Sequence, residues 1–218
     1  MKGLLIKDVK LMLGQKKFFV VVVGLGIFFM LSNANPVSGV SYITMLLSIF
    51  TLSTISYDEF DNGMAFLMTL PIERKTYALE KYVFAGLVSL ISAVGTSVLA
   101  YILGMVMDVP VDMAEVIGVA CVIVLVSWLI LSVTIPLQIK FGSEKGRIAM
   151  ILAMGAIFGI LFVVAKGLSS SGADMSGVVL FLDSLEAWQL VSASVFVTIL
   201  VLLASYAACV RIINKKEY

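Results

Sequence analysis

Residues 57–81 read YDEFDNGMAFLMTLPIERKTYALEK, and the way this stretch interrupts its surroundings decides the fold. It opens with three acids in four residues, Asp58, Glu59 and Asp61, and carries Arg74, Lys75 and Lys81 toward its end. Apolar runs at 38–56 and 82–107 lie on either side of it. A hydrocarbon core about 30 Å thick takes roughly 20 apolar residues of helix. The stretch is a polar island between two such spans, and the alternation continues in both directions along the chain.

Six spans follow: 18–35, 38–56, 82–107, 116–139, 148–167 and 189–210. Hydrophobic residues make up 61% of the 218 residues, and the mean hydropathy of +1.11 excludes an ordinary soluble domain. The fold class is an all-α integral membrane protein, one transmembrane domain over 1–218. Of the 15 Lys and Arg, only Lys166 falls on the side opposite the rest, together with Asp108, Asp112, Glu115, Asp174, Asp183 and Glu186. The other side holds the clusters Lys2 to Lys17, Arg74 to Lys81, Lys140 to Arg147 and Arg211 to Lys216, which puts both termini in the cytoplasm. An odd number of spans would scatter these clusters.

The first run, Phe18 to Leu31, resembles a signal peptide with Ser32-Asn33-Ala34 as its cleavage site. Its long basic lead-in and the five spans behind it argue against that. A net charge of +1 gives no bulk attraction to nucleic acid. Cys121 and Cys209 lie inside spans and read as small buried apolar residues. With no His and no Cys cluster, a zinc site has little to be built from.

Residues 1–17 are amphipathic. Leu5, Ile6, Val9, Met12 and Leu13 share one face opposite Lys7 and Lys10, which predicts an interfacial helix whose lysines meet anionic lipid. A tight outer turn is expected at Asn33 to Pro36, with the proline stopping the helix. Thr44, Ser48, Thr51 and Thr54 form a hydroxyl stripe on the second span. Two readings stand for it: lining a possible substrate path, or bonding to a neighbouring helix. Ala85, Ser89, Ser92 and Thr96 make a small-residue packing seam on the third span. The fourth has Trp128 near its middle and Pro136 as an expected kink. On the fifth, Ala149, Ala153, Gly155 and Gly159 mark a close seam, between two chains or within one. Residues 168–188 read as an outer loop with an apolar interfacial piece at Val178 to Leu182 and Trp188 at the belt.

Within 57–81, the acids favour a helix start, Met64 to Leu70 is an apolar run, and Pro71 is a hard stop. The result is a short cytoplasmic helix with Met64, Phe66, Leu67 and Met68 exposed at its tip, a liability unless a partner covers them. An acid, a glycine, a Leu-rich helix closing in Leu-Pro, then Arg and Lys before a span resembles type-2 ATP-binding-cassette exporter permeases. The matching positions are Glu59, Gly63, Leu67, Leu70-Pro71, Arg74 and Lys81. In compact size the chain looks most like bacterial permeases for peptides, including phenol-soluble modulins and bacteriocin self-immunity.

The resemblance implies location in the bacterial plasma membrane and a pair of permease chains, homodimeric or heterodimeric. Each chain docks a cytoplasmic ATPase through the coupling helix between spans two and three. Asp58, Glu59, Phe60, Asp61, Gly63, Met64, Phe66, Leu67, Met68, Leu70, Pro71 and Arg74 are its expected docking residues. Lys140, Phe141, Glu144, Lys145 and Arg147 would form a second contact, unless they serve only as an orienting basic turn. The partner would bind ATP and Mg; this chain lacks a G-x-x-x-x-G-K-[ST] loop and is expected to hold no cofactor. The cargo would be an amphipathic peptide or other hydrophobic substrate, moved outward.

Other classes fare worse on the residues. No Asp, Glu or Arg is expected well inside a span, which speaks against a proton-coupled transporter, and no pair of broken spans suggests sodium coupling. The absence of His and of paired membrane carboxylates speaks against an intramembrane enzyme. A scaffold or sensor could use the same docking helix but would not stimulate an ATPase.

Overall fold

The computed structural model describes residues 1–33, 35–60, 63–170 and 187–216, with only the backbone for many residues in 143–170. The described residues are almost entirely helical and include no strand. The helices are α1 (Lys2–Gly14), α2 (Lys16–Ser32), α3 (Pro36–Phe50), α4 (Leu52–Glu59), α5 (Gly63–Thr69), α6 (Arg74–Val106), α7 (Met113–Ser170) and α8 (Ala187–Lys215). In lipid, only structures that close their own backbone hydrogen bonds are stable across the core, and helices do so.

Four stretches are long and apolar enough to cross a membrane: Pro36–Glu59, Arg74–Val106, Met113–Gly142 and Trp188–Lys215. Counting α1 and α2 as one span, bent by 67°, gives five. The segment expected as the fifth of six spans, 148–167, is helical as part of α7. Most of its side chains, and residues 171–186 of the expected outer loop, lie outside the described residues.

One local expectation is corrected. Pro36 begins α3 rather than ending α2: it sits in the first turn, behind an Asn35 cap whose side chain accepts from the Val37 N–H at 2.9 Å. Proline lacks an N–H that this position would leave unpaired anyway. In α7, which carries Pro136 within it, the backbone leaves helical angles at Gly142 (φ 79°, ψ 175°). That conformation is nearly closed to residues with a Cβ.

Two apolar clusters hold the helices together. At the cation-rich end, Ile55, Met64, Tyr77, Ala78, Ile135, Ile139, Cys209 and Ile213 join α4, α5, α6, α7 and α8. Toward the other end, Val22, Met30, Val40, Ile43 and Ala100 join α2, α3 and α6. Hydroxyls lie inside these seams. The Thr44 and Thr96 hydroxyls are 3.0 Å apart across α3 and α6, and the Trp128 indole N–H donates to the Ser89 hydroxyl at 2.6 Å. Thr44, Ser48, Thr51 and Thr54 are all buried within the one chain, and the last three bond backbone carbonyls one turn back. These are the bonds that the packing reading of the stripe expects. Cys209 is buried as expected, whereas Cys121 is exposed on α7.

Candidate docking site at the cation-rich end

The helix of the second span runs on to Glu59, so Asp58 and Glu59 end α4 rather than beginning α5. The helix of the third span begins at Arg74, so residues 74–81 are its first turns. Between them stands α5, seven residues long. Its position depends on how the two flanking helix ends are fixed, and each end is held by a cluster of charges.

The first cluster joins α1, α4 and α6. Lys81, 2% exposed at its side chain, has its Nζ 2.5 Å from Asp8 Oδ2 and 2.7 Å from Asp58 Oδ2. It also donates to the Thr54 hydroxyl at 3.3 Å, which occupies the three N–H donors an ammonium carries. Lys7 pairs with Asp58 as well and lies 3.2 Å from Asp8 Oδ1. The Tyr77 hydroxyl donates to Asp58 Oδ2 at 3.0 Å. Two lysines thus balance two aspartates in a place water scarcely reaches. Glu80 is fully buried beside them, its Oε2 3.7 Å from Lys81 and neither oxygen hydrogen-bonded among the described residues.

This cluster corrects one expectation. The N-terminal helix is not only a surface helix with lysines facing lipid: Leu4 and Asp8 turn into the protein, while Ile6, Val9 and Leu13 stay exposed. Asp58 and Glu80 are buried at the cation-rich ends of the helices Pro36–Glu59 and Arg74–Val106, just outside the apolar runs 38–56 and 82–107.

The second cluster joins α4, α6, α7 and α8. Glu59 Oε1 is 3.5 Å from Lys216 Nζ, and Lys216 also donates to the Ile139 carbonyl at 2.9 Å. A Cβ on Gly142 would stand 3.3 Å from Glu59 Oε2, so the break in α7 and the glutamate fit one another. Arg74 donates to the carbonyls of Ile213, Asn214 and Lys216 at 2.9, 3.2 and 3.2 Å. It therefore caps the end of α8, where carbonyls lack helical partners and a cation suits the helix dipole. The Gln138 amide donates to the Leu52 carbonyl at 3.0 Å and the Ser56 hydroxyl at 2.7 Å.

Between the clusters, α5 presents a divided surface. Met64 is buried, and Leu67 and Met68 pack partly against the core, so these three do not form an exposed tip. Phe66 (67% exposed), Phe60 (72%) and Leu70 point outward. Gly63 is pressed against the Asp58 carbonyl, 2.8 Å from where a Cβ would sit. Pro71 lies exposed in the turn after α5. Among the second-contact residues, Lys140, Phe141 and Lys145 are exposed beside the break. Asp61, and the side chains of Glu144, Arg147, Ala149 and Ala153, lie outside the described residues. Gly155 and Gly159 are exposed, with nothing within 4 Å of an added Cβ.

A family model described as ABC-2 family transporter protein matches residues 3–214. The chain belongs to that family. Neither the curated proteins nor the solved structures compared with it gave a match. As an ABC-2 permease it is the membrane component of an ABC transporter, a multi-pass membrane protein that works with a separate ATPase and is not itself one.

Sequence reasoning located Asp58, Glu59, Arg74 and Lys81 but missed Lys7, Asp8, Tyr77, Gln138 and Lys216. Asp8 had a signal. It is the one acid of a lysine-rich helix, and it stands four residues after Leu4, so the two share a face.

Proposed function

We propose that this permease is one half of an ATP-driven exporter that moves an amphipathic peptide or other hydrophobic substrate out of a bacterial cell. It crosses the plasma membrane six times with both termini in the cytoplasm, as the distribution of Lys and Arg requires. Helix α5 is the part the ATPase grips, and residues 140–147 are a second contact with it. ATP and Mg are held by that subunit. A second permease chain, identical or related, meets this one at Gly155 and Gly159, where a neighbouring backbone has room to approach.

The observation that carries the reading is the divided surface of α5. Phe66 projects from a short helix anchored at both ends by buried charges, in a region too rich in cations to lie in hydrocarbon. A large aromatic residue held there is a contact waiting for a protein surface. The arrangement suits transmission: a push on α5 reaches α4 and α6 directly, since both its neighbours are span helices.

The test is co-purification of the tagged chain with its ATPase from native cells. Phe66→Glu is expected to remove the ATPase while the permease still inserts and elutes as a single species. Met64→Glu, which places a charge in the core, is expected to lose the folded permease as well. An ATPase retained at full stoichiometry by Phe66→Glu would overturn the assignment.

A further inference from the structure

Helices α7 and α8 run side by side in the same direction, and one face of the pair is apolar at one end and basic at the other. Near the end where α8 begins, a trough is lined by Val122 of α7 and by Ala193 and Val197 of α8. At the opposite end, a cleft of about 380 Å³ is lined by Lys140, Arg211, Ile212, Lys215 and Lys216. The two sites are in register. Val122 to Lys140, Ala193 to Arg211 and Val197 to Lys215 are each eighteen positions apart, five full turns and about 27 Å of rise. That is close to the thickness of a hydrocarbon core.

The basic cleft and the apolar trough are thus set apart by about the thickness of a hydrocarbon core. Between them, Ala204 and Ala208 are exposed on α8. At helical spacing they fall on the stripe that carries Ala193, Val197, Arg211 and Lys215. Only 11% of the most apolar window of α8 is buried, so most of this helix is free to meet lipid.

The geometry points to a binding site for an anionic phospholipid, its headgroup phosphate held by Lys140, Arg211 and Lys215 and a chain lying along the α7–α8 seam. Basic pockets between span helices at the cytoplasmic surface attract such headgroups. A cleft of this size is in the range that encloses a small ligand group. The inference rests on the orientation proposed above, which places the cleft at the inner leaflet. Lys216 in its lining is the residue that pairs with Glu59, so a bound headgroup would sit next to the second anchor of α5.

The test uses the purified permease alone in neutral detergent, with bound lipid counted by native mass spectrometry. Because no ATPase is present, failure here leaves the exporter reading untouched, and the reverse also holds. Phosphatidylglycerol is expected to bind well in preference to phosphatidylcholine of the same chains. The triple variant Lys140→Gln, Arg211→Gln, Lys215→Gln should weaken that binding roughly a hundredfold, the size expected of three cations near a headgroup. Lys166→Gln, which removes an exposed cation that the proposed orientation puts at the opposite membrane surface, should leave it nearly unchanged. Ala204→Trp, which adds bulk to the stripe between the two sites without touching a charge, should also weaken it. Equal binding of the two lipids, or no change in the triple variant, would overturn the site. Displacement by inorganic phosphate at matched concentration would assign the cleft to a free anion instead of lipid. An Ala204→Trp variant that binds lipid normally but no longer forms dimers would assign the seam to a second copy of the chain.

Discussion

Lys81 is the residue on which most of the buried charge turns. Its ammonium joins Asp8, Asp58 and Thr54, and among the described residues Lys7 is the other cation that pairs with the two aspartates. Taking one member out of a buried ion pair strands the other, which costs about 3–5 kcal/mol. Lys81→Met should therefore lower the thermal midpoint in detergent sharply. Adding Asp8→Asn to that variant should recover part of the loss, because the second change removes one stranded charge; the coupling of the two changes is the quantity to measure. Additive losses would mean that the two residues are not energetically joined. The sequence pointed to Lys81 as a family position but not to its partner, because Asp8 lies 73 positions away and reads locally as one more charge on a surface helix.

At the scale of elements, the span helices were legible because twenty-residue apolar runs admit few other structures in a membrane. The helix ends were not. An acid followed by a glycine can end one helix or open the next, and here Asp58 and Glu59 do the former. Pro36 posed the same ambiguity and resolved the other way. The exposed tip of α5 was half right: the tertiary fold draws Met64 inward and leaves Phe66 outside, a division that local spacing on a seven-residue helix cannot set. Arg74 gives this scale its test. Arg74→Gln removes the cation from three carbonyls at the end of α8, and amide hydrogens over 211–216 should exchange faster while those of the rest of α8 hold. Unchanged protection there would mean that the cap is not what orders the helix end.

At the scale of the whole molecule, Gly155 and Gly159 are where the proposed pairing of two chains can be tested. Gly155→Leu adds bulk where the described residues leave nothing within 4 Å, so the folded monomer should keep its thermal midpoint while cross-linked dimer is lost. A dimer that survives intact would move the interface to another face. The 67° bend between α1 and α2 brings out a different property of the assembly. Helix α1 offers Ile6, Val9 and Leu13 to its surroundings and Asp8 to the interior, so one short rod shares its two sides between the bilayer surface and the ion network behind α5. Coupling of that kind is reciprocal by thermodynamic necessity. On the docking proposed above, free energy that an ATPase on α5 spent on shifting α1 would return as a change in how deeply α1 rests among the headgroups. The bilayer would then be a third party to each transport cycle, its thickness and charge acting as ligands of the permease.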